Sequence, residues 1–86
     1  MDAQKGADPC IVYVSGLTER VLERHLDEIF GFYGRIERLQ LHESPRRAVI
    51  EYNSPAHAHR AVSHMDRGEI DGARVTVSLD DPTMYG

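Results

Sequence analysis

The 86-residue sequence predicts an α+β fold with the element order βαββαβ. Four segments have the β-branched or alternating apolar pattern of strands, at residues 11–17, 36–42, 47–52 and 74–79. Between them lie two segments with apolar residues at spacings of three and four, as in amphipathic helices. In this ferredoxin-like order, two βαβ units interleave into a sandwich of one four-stranded antiparallel sheet with two helices on one face. The other sheet face is open, so we expect a ligand to bind there.

The first strand and the first helix are separated by a turn. Residues 11–17 are β-branched and aromatic and end in a turn glycine. Thr18 is the predicted N-cap of the helix, and Glu19 lies in the first turn, where the helix dipole favours a negative charge. The helical pattern starts at Val21 and ends at Gly34. Its apolar residues are Leu22, Leu26, Ile29 and Tyr33.

The second half of the sequence supplies the remaining elements. The predicted inward side chains of the second strand are Ile36, Leu39 and Leu41. A short connection, residues 43–45, leads into the third strand. Ser54 suits the N-cap of the second helix and Pro55 its first position, and Gly68 ends it. The apolar residues of that helix are Ala58, Ala61, Val62 and Met65. Residues 70–72 form a predicted turn before the last strand.

Composition limits the class of partner. The chain has 14 acidic and 10 basic residues and a formal net charge of −4, which is the wrong sign for a general phosphate binder. Nucleic-acid contacts are therefore expected on a local basic face or on basic segments elsewhere. The single cysteine, Cys10, excludes an internal disulfide and an all-cysteine metal cluster, which favours a reducing compartment. No apolar run approaches the roughly 18 residues needed to cross a membrane.

The same patterns predict the domain organisation. Residues 1–9 are polar and are expected to form a disordered lead-in without a signal-peptide core. The folded domain is expected at residues 10–81, followed by a C-terminal tail at residues 82–86. Little in the sequence indicates self-association, so a monomer is expected.

Two strand segments carry a family resemblance. Residues 12–17 match the first-strand signature of the RNA-recognition-motif family, and residues 45–52 fall on its third-strand signature. The matching third-strand positions are Ala48, Ile50 and Tyr52. The sequence departs from the signature at Arg46, which replaces a glycine, and at Arg47 and Val49, which replace two outward aromatic residues.

A closer resemblance is carried by several short stretches. These are Leu17-Thr18 with Val21, His25 with Glu28-Ile29-Phe30, Tyr33-Gly34, His64-Met65-Asp66 and Ile70-Asp71-Gly72. They are similar to the serine-rich RNA-binding group of the apoptosis-and-splicing-associated assembly, a peripheral part of the exon junction complex. The resemblance implies a nuclear RNA-binding domain of an mRNA-processing or splicing factor, with partners of Acinus type and SAP18 type.

Strand alternation predicts an RNA-binding surface on the open sheet face. The predicted RNA-binding residues are Tyr13, Ser15, Arg38, Gln40, His42, Arg47, Val49, Arg74 and Thr76. Single-stranded RNA suits such a surface because its bases stack on aromatic rings or arginine planes, while cations meet the phosphates. The resemblance places Tyr13 at the base-stacking position of the family.

The two missing aromatic residues predict weak RNA binding. Each stacking contact contributes about 1–3 kcal/mol, so losing two of them weakens binding by about 2–6 kcal/mol before compensation. Arg47 is expected to recover part of this loss by stacking on bases or pairing with phosphates. Arg46 strengthens the basic character of this strand, unless Glu43 and Glu51 neutralise the two arginines as surface ion pairs. Micromolar or poorer affinity is expected.

A protein-interaction module is the alternative interpretation. Some members of the family bind peptides on the helical side, and an acidic first helix would suit a basic peptide. The acidic residues there are Glu19, Glu23, Asp27 and Glu28, which otherwise form a solvated helix face. The Arg-x-Phe element of the tryptophan-peptide-binding subgroup is absent near residues 68–72. Phe30 is expected in the core, whereas Phe32 is consistent with either the core or a docking patch.

An enzyme, a cofactor and a metal site are not predicted. Acylphosphatases share this topology, but they need a glycine-rich turn with an arginine after the first strand to hold an anion. Here Arg20 lies inside the predicted helix start, beside a glutamate, and no residue has a recognisable nucleophile pairing. His57 and His64 lie about 10.5 Å apart along the second helix, too far to share a metal ion.

Overall fold

The computed structural model describes residues 10–43 and 46–79 and contains the predicted order of elements, with one additional hairpin. The strands are β1 (Ile11–Ser15), β2 (Ile36–Glu43), β3 (Arg46–Tyr52), β4 (Glu69–Ile70), β5 (Ala73–Arg74) and β6 (Thr76–Ser78). The helices are α1 (Glu23–Phe30), continued by a 3₁₀ turn at Gly31–Tyr33, and α2 (Pro55–Met65). The predicted lead-in at residues 1–9 and the tail at residues 82–86 lie outside the described residues.

One four-stranded antiparallel sheet organises the molecule, in the order β2-β3-β1-β6. The register places Tyr13 of β1 opposite Val49 of β3 and Ser78 of β6. Gln40 of β2 also lies opposite Val49. The predicted α+β fold with a four-stranded antiparallel sheet is therefore confirmed.

The core lies between one face of this sheet and the two helices. The sheet buries alternate residues, and α1 and α2 each bury a narrow apolar stripe against them. The buried sheet and helix residues include Val12, Val14, Ala48, Ile50, Val77, Leu26, Phe30, Ala58 and Ala61. Burying each large apolar side chain contributes about 1.5–3 kcal/mol. Phe30 is fully buried, which confirms its predicted core position.

A register shift in β2 explains which of its side chains point towards the core. The pairing with β3 is irregular between Ile36 and Arg38, so Glu37 is an extra residue in the ladder. Ile36 and Leu39 are three residues apart, and regular alternation would point them to opposite faces. The bulge resolves this, and the predicted inward residues Ile36, Leu39 and Leu41 all pack against the core.

The first helix begins later than predicted. Its N-cap is Leu22 rather than Thr18, and its first residue is Glu23 rather than Val21. The backbone N–H of Leu22 donates to Nδ1 of His25 at 3.0 Å, so a histidine satisfies an amide at the helix start. Thr18 does not cap the helix, because its hydroxyl donates instead to Oδ2 of Asp71 at 2.5 Å, a contact between residues far apart in sequence.

The segment predicted as the last strand, residues 74–79, is divided between two structures. Only Thr76–Ser78 pairs with β1, whereas Ala73–Arg74 pairs with Glu69–Ile70 in a separate hairpin. Asp71 and Gly72 form its two-residue turn with φ values of 56° and 77°, the conformation that an Asp-Gly pair favours in hairpins. The hairpin therefore removes Arg74 from the strand that joins the sheet.

Candidate nucleic-acid interface

The open sheet face presents its side chains in three rows that cross the strands. The first row is Gln40, Val49, Tyr13 and Ser78. The second row is His42, Arg47, Ser15 and Thr76. The third row is Arg38, Glu51 and Ile11. Eight of the nine predicted RNA-binding residues thus share one face, and the ninth, Arg74, does not lie in these rows.

Tyr13 lies near the centre of this face. Its neighbours Val12 and Val14 are buried beneath the helices, so alternation along β1 directs the Tyr13 ring away from the core. The ring is half-buried among its strand neighbours. An aromatic ring held in this way exposes a flat apolar surface at little cost in conformational entropy, which suits base stacking.

Four polar side chains on the same face as Tyr13 have no partner in the part of the chain that the structure describes. Within residues 10–43 and 46–79, Arg38, Gln40, His42 and Thr76 show no side-chain hydrogen bond or ion pair. Donors and acceptors exposed on a sheet face exchange water for ligand groups without first breaking a contact. These four side chains are therefore available to bind phosphates, ribose hydroxyls or base edges.

The two adjacent arginines of β3 differ in their roles. The guanidinium of Arg46 lies 2.8 Å from a carboxylate oxygen of Glu43 and also donates to the carbonyl oxygen of Val21. Only 13% of the Arg46 side chain is exposed, and it joins β3 to the segment before α1. Of the two interpretations of Arg46, the ion pair with Glu43 is therefore the one that the structure contains. Arg47 points to the open face, is half-buried and makes an intramolecular interaction of its own.

Arg74 is placed apart from the other predicted binding residues. It is exposed in β5 and lies opposite Glu69 across the hairpin rather than in line with Thr76 on the sheet. Sequence reasoning missed the hairpin although Asp71-Gly72 is a strong signal for a two-residue turn. The face therefore carries two guanidinium groups, from Arg38 and Arg47, rather than three.

The helical side carries the alternative set of acidic residues. Glu19, Glu23, Asp27 and Glu28 are all exposed. Glu23 also has a structural contact, because its Oε2 accepts a hydrogen bond at 3.3 Å from the backbone N–H of Leu41 on the edge strand β2. Phe32, in the 3₁₀ turn after α1, is 83% exposed and therefore lies outside the core.

A groove of about 270 Å³ separates α1 from the β4–β5 hairpin. Its lining residues are Arg20, Val21, His25, Glu28, Ile29, Ile70 and Asp71. Asp71 accepts hydrogen bonds from the Thr18 hydroxyl at 2.5 Å and from Nε of Arg20 at 2.9 Å. The hydrogen bond from Thr18, assisted by the positive charge of Arg20, lowers the pKa of Asp71. This network fixes the hairpin against the start of α1.

The described part of the chain lacks the features of a metal site and of a membrane-spanning helix. It contains no group of three or more histidine, cysteine or acidic residues that could hold a metal ion. None of its helices has the length and apolar character needed to cross a bilayer.

Comparisons with known proteins agree with this geometry. The family model of the RNA recognition motif matches residues 12–76, from β1 to the start of β6. The chain belongs to the RNA recognition motif family. The domain is 39% identical over 74 residues to RNA-binding protein with serine-rich domain 1 of Danio rerio, covering 78% of this chain and 26% of that protein. The predicted resemblance to a serine-rich RNA-binding protein is thus confirmed, and the chain spans about a quarter of that relative's length.

Solved structures support the same fold. The Caenorhabditis elegans NONO-1 homodimer superposes with a TM-score of 0.77 at 29% identity, over 84% of this chain and 29% of that chain. The Sex-lethal protein in its complex with RNA has a TM-score of 0.76 at 19% identity, over 86% of this chain and 48% of that chain. At that identity the second likeness concerns the fold alone.

Proposed function

We propose that this domain binds single-stranded RNA on its open sheet face and acts by binding rather than by catalysis. The observation that carries the proposal is the outward Tyr13 ring, on a face where Arg38, Gln40, His42 and Thr76 make no side-chain hydrogen bond or ion pair within the described residues. A base stacked on this ring contributes about 1–3 kcal/mol. The guanidinium group of Arg47 would meet a phosphate, and that of Arg38 would donate to a phosphate or to a base edge.

The affinity is proposed to be weak, micromolar or poorer. The position next to Tyr13 in its row holds Val49, whose side chain offers no aromatic plane for a second base. The Arg74 guanidinium, which lies in the hairpin, adds no charge to the sheet rows. The face therefore has one stacking ring and a small excess of positive charge, so few phosphates are neutralised and binding should depend only modestly on salt concentration.

Fluorescence anisotropy with short labelled single-stranded RNAs tests this proposal. Tyr13→Ala should weaken binding about fivefold or more, because it removes the stacking surface. Phe32→Ala is the matched control, since it removes an exposed aromatic ring from the helical side and should leave RNA affinity unchanged. Equal affinities of Tyr13→Ala and the wild-type domain would contradict the sheet-face model.

The cellular role is a proposal of the same kind. The likeness to a serine-rich RNA-binding protein supports a role in RNA binding. The resemblance of the sequence to the serine-rich RNA-binding group is the basis for proposing a nuclear role in mRNA processing or splicing, within an assembly associated with the exon junction complex. Acinus-type and SAP18-type proteins are the proposed partners. Nuclear localisation of the full-length protein and its co-purification with such partners from nuclear extract would test this role. A strictly cytoplasmic distribution would contradict it.

A second candidate function is the docking of a basic peptide on the helical side. The exposed Phe32 ring is the observation that favours it, because a large aromatic side chain that is 83% exposed contributes nothing to the core. The exposed carboxylates of Asp27 and Glu28 on the preceding helix would attract arginine side chains. An NMR titration separates the two functions: an arginine-rich peptide should shift amides of α1 and the 3₁₀ turn, whereas RNA should shift amides of the sheet.

A further inference from the structure

A depression of about 460 Å³ lies at one end of the open sheet face. Its lining residues come from β2, from the end of β3 with the residue after it, and from the residue before β1; they are Cys10, Glu37, Arg38, Glu51, Tyr52 and Asn53. It adjoins the row that contains Tyr13, because Glu51 follows Val49 by two residues on the same face of β3. Two residues of a strand span about 6.6 Å, so neighbouring nucleotides of one RNA strand can occupy the Tyr13 row and this depression.

Glu51 is the unexpected member of this surface. It is an acidic, half-buried residue on a face that would bind a polyanion, and a carboxylate there repels phosphate groups. Arg38 is its cross-strand neighbour, yet in the described part of the chain neither side chain makes a hydrogen bond or an ion pair. A surface ion pair between Glu51 and Arg38 therefore does not explain why these two residues occupy neighbouring positions on the face. Together they offer an acceptor-only group beside a donor-only group.

Resting on the proposed RNA-binding function, we propose that Glu51 and Arg38 together recognise a guanine base in this depression. The Watson–Crick edge of guanine presents, in order, the O6 acceptor, the N1–H donor and the N2–H₂ donor. The two oxygens of the Glu51 carboxylate would accept from N1–H and N2–H₂, while the Arg38 guanidinium would donate to O6.

The other three bases do not complement this pair of side chains. Uracil places a single donor between two acceptors, and one of those acceptors would face the Glu51 carboxylate. Cytosine and adenine each present an amino group beside a ring nitrogen that accepts, so they offer the carboxylate one donor rather than two adjacent ones. Guanine alone supplies two adjacent donors for Glu51 and a neighbouring acceptor for Arg38.

Anisotropy titrations of labelled heptamers test the proposal directly. The probes are U₇ and four variants with guanosine, inosine, adenosine or cytidine at the central position. The wild-type domain should bind the guanosine heptamer at least about fivefold more tightly than U₇, since a bidentate contact discriminates by about this factor or more. Inosine lacks the N2 amino group and should lose part of the preference.

The Glu51→Gln variant identifies the residue responsible. It replaces one acceptor oxygen by a donor, so the preference for guanosine over U₇ should fall below about twofold. U₇ itself should bind somewhat more tightly, because a charge that repels phosphates is gone. Glu28→Gln makes the same change in net charge on the helical side and should keep the guanosine preference. Thermal unfolding of each variant checks that the domain is folded, and amide shifts of Arg38 and residue 51 on adding the guanosine heptamer locate the contact.

The outcomes separate this inference from the function on which it rests. A preference for guanosine that Glu51→Gln abolishes supports both the guanine site and the proposed RNA-binding function. Binding of all heptamers with equal affinity, or a guanosine preference that survives Glu51→Gln, overturns the guanine site while leaving RNA binding in place. No binding of any heptamer by the wild-type domain overturns the proposed function and this inference with it.

Discussion

The hydroxyl of Tyr52 makes a buried contact whose loss can be measured. Tyr52 is 1% exposed, and its hydroxyl donates to the backbone carbonyl of Phe30 at 2.6 Å, at the C-terminal end of α1. Phenylalanine retains the ring and its packing but removes the donor. A typical intramolecular hydrogen bond contributes about 0.5–1.5 kcal/mol, and a buried acceptor left without a partner costs about 1–3 kcal/mol. We therefore expect Tyr52→Phe to lower the free energy of unfolding by about 1–2 kcal/mol.

Urea denaturation followed by circular dichroism measures this loss. In thermal unfolding of a domain of this size, a loss of about 1–2 kcal/mol corresponds to a fall in Tm of about 4–16 °C. Tyr13→Phe is the matched control, because it removes a tyrosine hydroxyl that makes no hydrogen bond within the described residues. If Tyr52→Phe and Tyr13→Phe lower the urea midpoint equally, the hydroxyl contact does not stabilise the fold as argued.

The same hydroxyl predicts how stability responds to alkaline pH. Burial raises the pKa of Tyr52 above its ordinary value of about 10, with a smaller contribution from Tyr33. The unfolded chain therefore releases this proton at a lower pH than the folded domain does. The contribution of Tyr52 to stability is complete below about pH 10 and is lost as the pH rises towards the folded-state pKa. The difference in unfolding free energy between wild type and Tyr52→Phe should consequently shrink above about pH 10, and a constant difference would contradict this linkage.

Two further perturbations test the packing and the hairpin network. Gly34→Ala should destabilise the domain by about 1–3 kcal/mol in urea denaturation, because the added methyl group would lie 2.2 Å from the His57 ring. Gly31→Ala is the control and should be neutral or stabilising, because a methyl group at that position meets nothing within 4 Å. Equal effects of the two substitutions on the free energy of unfolding would refute the packing argument. Asp71→Asn should lower Tm at pH 7, and because the folded-state pKa of Asp71 is depressed, the difference from wild type should narrow as the pH falls below about 4. A Tm difference that persists unchanged in acid would show that the carboxylate charge is not what stabilises the hairpin.

Local pattern predicted the parts of the fold that depend on neighbours in sequence. The alternation of Val12, Tyr13 and Val14 decided which side chains enter the core and which face outward. Ser54 and Pro55 likewise marked the start of α2, where the Ser54 hydroxyl accepts from the backbone N–H of His57 at 3.4 Å. The predictions failed where a distant contact competed with a local signal. Threonine is a residue type favoured at helix N-caps, yet the Thr18 hydroxyl donates to Asp71, 53 positions away in the sequence.

The sequence by itself determined the order of elements, the inward and outward sets of the strands and the position of Tyr13 on the open face. These follow from the two-residue period of strands and the 3.6-residue period of helices, which are local properties of the chain. Only the tertiary structure decided three other features. Arg46 donates a hydrogen bond to the carbonyl oxygen of Val21, Arg74 pairs in the hairpin instead of the four-stranded sheet, and Glu51 lies opposite Arg38. Each of these depends on which segments meet in space, because strand register, bulges and long-range hydrogen bonds are fixed by the packed molecule as a whole.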